Sequence, residues 1–80
     1  MATAPSFPAL TSAAQLGGFI RIARERQRLT YAKAAAKCGV SYRFFWQLEH
    51  GKPGARLDKV LAVARRMGLL ITVIPGGAPR

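Results

Sequence analysis

Apolar residues recur at helical steps in several separate stretches of the chain, and near its end they stand in an unbroken run. Leu16, Phe19, Ile20 and Ala23 form the first stripe, which predicts a helix with one buried face. Ile22 falls off that stripe, and Arg21, Arg24, Glu25, Arg26 and Arg28 occupy the opposite side. Ser12 with Gln15 three residues on has capping-box spacing, so the helix is expected to start there. Gly17 and Gly18 each weaken a helix by about 1 kcal/mol relative to alanine. Close approach of a neighbouring helix would give them a reason.

Residues 29–51, LTYAKAAAKCGVSYRFFWQLEHG, are the stretch around which the rest is organised. Thr30 is a good N-cap for a second helix that runs to about Lys37 and is mostly alanine, Ala32, Ala35 and Ala36 among them, so that it can pack close to a neighbour. Cys38, Gly39 and Val40 make a turn, and Ser41 caps a third helix. There Phe45 and Leu48 should face the core with Val40, while Tyr42, Arg43, Trp46 and Gln47 fall outside and Phe44 lies between. An alanine-rich helix, a glycine turn and a polar-tipped helix make the pattern of a helix-turn-helix. Gly51 ends the third helix, and residues 52–55 read as a loop. A fourth helix is predicted over 57–67, with Leu57, Val60, Leu61, Ala64 and Met67 as its stripe and Gly68 as its stop.

The unbroken run, Leu69, Leu70, Ile71, Thr72, Val73 and Ile74, reads as a strand between Gly68 and Pro75. A lone strand leaves its backbone groups unpaired. The cheapest partner is the same strand of a second copy; the alternatives are an extension of the fourth helix or apolar coil. The expected organisation is a flexible arm over 1–11, in which Phe7 and Leu10 could dock, a helix-turn-helix domain over 12–68, a dimerisation strand over 69–75 and a flexible tail over 76–80. The fold class is all-α, with four to five helices and that one C-terminal strand.

Composition narrows the function. Eighty residues allow one domain with a marginal core, and oligomerisation is a common remedy. One cysteine and one histidine cannot complete a four-ligand zinc site, and no cofactor is called for. Thirteen Lys and Arg against Glu25, Glu49 and Asp58 give a net charge of +10. Most of the cations are arginine, which suits phosphate, and the balance points to nucleic acid. Three acids and one histidine leave little from which to build catalysis, with no Ser/His/Asp set and no phosphate loop. No run approaches the roughly 18 residues of a membrane span, and the N-terminus lacks the features of a secretory signal. A cytoplasmic protein with no membrane partner is the expectation.

Leu29-Thr30, Ala35, Gly39-Val40-Ser41, Leu48-Glu49, Gly51-Lys52, Leu57, Leu61, Ala64 and Gly68 together resemble the Xre/Cro-type helix-turn-helix of bacterial and phage repressors. The apolar strand directly after the last helix, the small tail and the Gly17-Gly18 pair are similar to HipB-type antitoxins. That resemblance implies a homodimer whose C-terminal strands pair, repression of its own operon, and a HipA-type kinase toxin as partner. It also implies an ion pair of Arg24 with Glu49. Two positions depart from the pattern. Tyr31 stands where the family has glutamine, and the third helix is unusually aromatic, which means either apolar readout against thymine methyls or a protein interface.

In this architecture the N-terminal part of the third helix enters the major groove. Arg43 suits guanine O6 and N7, Gln47 suits adenine, and Tyr42 can reach a base edge, a thymine methyl or a phosphate. Thr30, Tyr31, Lys33, Ser41 and Lys52 are the phosphate candidates, with His50 beside them; Ser41 also reads as a cap alone. Cys38 and Met67 read as core. Trp46 is expected on the outer side, against a sugar edge or the N-terminal arm. The expected function is a dimeric repressor and antitoxin reading a palindromic operator in double-stranded DNA. A stand-alone regulator without a toxin, and a module that binds protein through its aromatic helix, are the alternatives.

Overall fold

The computed structural model describes residues 9–75. Residues 1–8 of the expected arm over 1–11, Phe7 among them, and the tail over 76–80 lie outside the described residues. Four helices follow one another: α1 Ala13–Arg26, α2 Tyr31–Cys38, α3 Tyr42–Glu49 and α4 Leu57–Arg66. Three begin where a hydroxyl can take an exposed amide. Ser12 Oγ accepts from Gln15 N–H at 3.1 Å, Thr30 Oγ1 from Lys33 N–H at 3.1 Å and Ser41 Oγ from Phe44 N–H at 3.0 Å. The reciprocal half of the expected capping box is shifted by one residue: Gln15 Oε1 accepts from Thr11 N–H at 2.7 Å. Gly39, at φ 70°, turns the chain from α2 to α3.

The core is made where α2 and α3 meet the inner faces of α1 and α4. Ile20, Phe45, Val63 and Met67 are fully buried there, with Ala34, Ala35, Cys38, Leu48 and Val60 around them. Within α2 it is Ala34 and Ala35 that face inward; Ala32 and Ala36 are exposed. Of the α1 stripe, Ile20 and Ala23 are buried and Leu16 packs partly against the core, whereas Phe19 is half-buried and Ile22 is 48% exposed.

α1 and α3 approach so closely that glycine is required between them. A Cβ on Gly17 would meet the backbone oxygens of Glu49 and Leu48, the latter at 2.6 Å. Gly51, at φ 74°, presents the same constraint from the other side, since its Cβ would lie 2.6 Å from Ala14 Cα. Gly18 faces open space, so the close-approach argument holds for Gly17 and not for its neighbour.

One expectation is corrected, and a second is not met within the single chain. The α4 stripe is rotated: Val60, Val63, Ala64 and Met67 are buried, while Leu57 is 69% and Leu61 44% exposed. At about 100° per residue the four buried positions form one continuous arc, and Leu57 and Leu61 lie at its edge and beyond. The second concerns residues 69–75, which form neither strand nor helix extension among the described residues. Leu69 packs on the core and its N–H bonds Ala64 O at 2.8 Å, but Leu70 and Val73 are each 91% exposed. Among the described residues of the single chain no neighbouring strand is there to satisfy the run.

Candidate nucleic-acid interface

α3 is held to the rest of the domain by its last residue. Glu49 is buried, and its carboxylate receives two bonds from Arg24 of α1, from Nε at 2.5 Å and Nη2 at 3.3 Å. Arg24 Nη1 donates to Leu29 O at 3.0 Å, which ties the same guanidinium to the chain entering α2. The bond to Glu49 raises the Arg24 pKa, with burial pulling the other way. Buried charges are tolerated only when paired and bonded in this way. The guanidinium also lies 4.1 Å from the centre of the Tyr31 ring. One arginine thus joins α1, α2 and α3.

Held so, α3 turns one face outward. Tyr42 and Arg43 of its first turn are exposed, and Gln47, one turn beyond Arg43, is half-buried. Tyr42 meets Tyr31 edge-on, with ring centres 5.9 Å apart, so the start of α2 and the start of α3 are brought together. The Tyr31 ring is half-buried among Arg24, Tyr42, Phe45 and His50. Its position is therefore fixed by packing. The Thr30 and Ser41 hydroxyls are occupied in capping, and each stands at a helix N-terminus, where amide dipoles favour an anion. Lys33 is exposed on α2. Lys52 is exposed after α3 and borders a cavity of about 260 Å³ with Phe44, Gln47, Pro53 and Lys59. Lys59 Nζ stands 5.6 Å from the centre of the Phe44 ring.

Electrostatics leave this surface positive. Each acid has an arginine partner: Glu25 pairs with Arg21 at 3.2 Å, Asp58 with Arg56 at 2.9 Å, and Glu49 with Arg24. The first two pairs are exposed and add little to stability. The other cations carry the net +10.

Two arrangements were not legible as sites in the sequence. Trp46, 42% exposed, stacks on His50 with ring centres 3.7 Å apart and planes at 15°. Their four-residue spacing on one helix is the only signal that could have found it. The second is an apolar groove of about 580 Å³, where Leu10 lies with Leu16 and Phe19 of α1 and with Leu70, Ile71 and Ile74. The residues of the expected strand other than Val73 are thus gathered along one open groove. Among the described residues no group of His, Cys, Asp and Glu could hold a metal, and no helix is long and apolar enough to cross a membrane.

A family model described as a helix-turn-helix domain matches residues 15–72. A curated relative, the uncharacterised HTH-type transcriptional regulator y4mF of Sinorhizobium fredii (strain NBRC 101917 / NGR234), is 39% identical over 67 residues. That match spans 84% of this chain and 88% of the relative. Among solved structures, a chain of the HipA–HipB–O2–O3 complex aligns with a TM-score of 0.75 at 18% identity, over 88% of this chain and 99% of that one. A chain of a HipB–O2 20mer complex aligns with a TM-score of 0.75 at 21% identity, over 89% and 99%. At these identities the structural matches establish the shared fold.

Proposed function

We propose that this chain, which belongs to the Xre-type helix-turn-helix family of transcriptional regulators, is a dimeric, sequence-specific repressor and the antitoxin of a HipA-type kinase toxin. The observation that carries the DNA-binding part is the outward face of α3. Tyr42, Arg43 and Gln47 stand on it, and the buried Glu49–Arg24 pair fixes the helix behind them. Arg43 reads guanine and Gln47 adenine. Thr30, Tyr31, Lys33, Ser41 and Lys52 lie along the phosphates and set the register.

Dimerisation rests on the C-terminal run. Leu70, Val73 and Ile74 are largely exposed apolar side chains, and Leu70 and Ile74 share a groove with Leu16 and Phe19. A second copy supplies both the missing strand and the cover, and it places two recognition helices about one DNA turn apart. The antitoxin role is supported by the fold shared with a chain of the HipA–HipB–O2–O3 complex. The repressor would act on its own operon.

Titration of a labelled duplex from the protein's own promoter tests this. The expected result is a clear preference over random duplex and a log–log salt slope of about −0.9 per neutralised phosphate. Equal affinity for random duplex rules out specific reading. A regulator without a toxin is the second reading, and the relative y4mF is named an HTH-type transcriptional regulator. Co-purification with the product of an adjacent kinase-like gene separates the two.

A further inference from the structure

Trp46 and His50 form a built unit on the outward face of α3. Their rings stack at 3.7 Å and 15°, and His50 Nδ1 lies 2.8 Å from the Trp46 carbonyl oxygen, in position to donate to it. The Tyr31 ring lies 6.3 Å from the histidine ring on the next helix and is itself gripped by Arg24. The indole is thus supported in this orientation by a series of contacts that leads to the buried Glu49, and Trp46 still shows 42% of its surface.

Its place on the helix decides what it meets. At 100° per residue, Tyr42, Trp46, His50, Arg43 and Gln47 fill a single arc of roughly 140°, with Trp46 between Tyr42 and Arg43. A helix that brings Arg43 to a base edge brings Trp46 to the same groove floor one turn further on. The indole has one N–H donor and is otherwise apolar, so most of its exposed surface calls for an apolar partner. The apolar group that bases present in the major groove is the C5-methyl of thymine.

We propose that Trp46, held by its stack on His50, is a specificity-determining residue that reads thymine methyl groups in each half-site, with His50 as its positioning residue. The proposal rests on the DNA-binding function above and adds the base that this unusual helix selects. Because the ring is already held before binding, little rotamer freedom is lost on contact.

The test compares operator duplexes in which each thymine of a half-site is replaced in turn by deoxyuridine, which lacks only the methyl. At one or two positions the wild-type protein should lose about fourfold in affinity per methyl, the effect of burying one such group. Trp46→Ala should bind thymine and uracil duplexes alike. His50→Ala should shrink the discrimination, and His50→Phe, which keeps a stacking ring, should restore it. Equal binding of thymine and uracil duplexes by the wild type overturns the proposal without any variant being needed. So does a Trp46→Ala protein that keeps the wild-type ratio, as contact with a sugar edge would produce. A wild-type protein with no preference for its operator over random duplex defeats the DNA-binding function itself, a separate outcome.

Discussion

The junction of α1 with α3 and the segment over 69–75 are both apolar or tightly constrained in sequence, yet they end in opposite conditions. At the junction every demand is met inside one chain. Gly17 and Gly51 let the backbones touch, and Arg24 neutralises Glu49 while also bonding Leu29 O. In the C-terminal segment the same kind of demand is left open. Leu70 and Val73 stand in solvent beside a groove of about 580 Å³. Local propensity can specify an element, but only a partner surface completes it. The junction is thus the finished part of the molecule, and the C-terminal segment is the part that the proposed second copy would finish.

The contrast can be broken most directly at Glu49. Glu49→Ala strands the part-buried Arg24 charge and should lower folding stability by up to about 3–5 kcal/mol. Lys33→Ala, on the exposed face of α2, should stay within about 0.5 kcal/mol. Equal melting temperatures for the two would show that the junction does not hold the domain. Next comes Gly17→Ala, whose methyl meets the backbone of α3. Overpacking of this kind costs about 1–3 kcal/mol, whereas Gly18→Ala, in open space, should stabilise by up to about 1 kcal/mol. Urea titration of the pair checks both signs.

A smaller effect comes from the other side of the core. Burial pushes the Cys38 thiol up, with Lys37 and Arg66 opposing by less. The unfolded chain therefore releases this proton first as pH rises, binds fewer protons than the folded chain, and gains on it. Above about pH 8.5, the ordinary thiol value, the wild type should lose stability relative to Cys38→Ser by at most about 1.4 kcal/mol per pH unit. Parallel stability curves from pH 8 to 10 would contradict this. The smallest effect on the fold is expected from Val73→Asp, within about 0.5 kcal/mol, because the side chain is 91% exposed. Its effect on association should be large, with the mass by sedimentation falling from that of a dimer to that of one chain.

The sequence was most legible where the determinants are local. Ser12, Thr30 and Ser41 mark three helix starts because a hydroxyl must sit just before the first turn. Gly39 marks the turn for an equally local reason. The α4 stripe was less legible because apolar residues lie on more than one arc of that helix, and spacing does not say which arc faces α2. Val63 is buried while Leu61 is not, as tertiary packing dictates. The run over 69–74 has strand character, but pairing is a property of two segments and one chain holds only one. At the candidate interface the outward placement of Tyr42, Arg43 and Trp46 follows from helical spacing. The Trp46–His50 stack and the Arg24–Tyr31 contact depend on rotamers and on how α1 crosses α2, which spacing does not encode.

Hydroxyl-radical footprinting on the protein's own promoter tests the central claim, that this chain is one half of a paired DNA reader. Two protected half-sites related by a two-fold axis and centred about 10 base pairs apart are predicted for the wild type, and Val73→Asp should lose both together. A single unpaired protected site, or a wild-type footprint that Val73→Asp leaves intact, would contradict it.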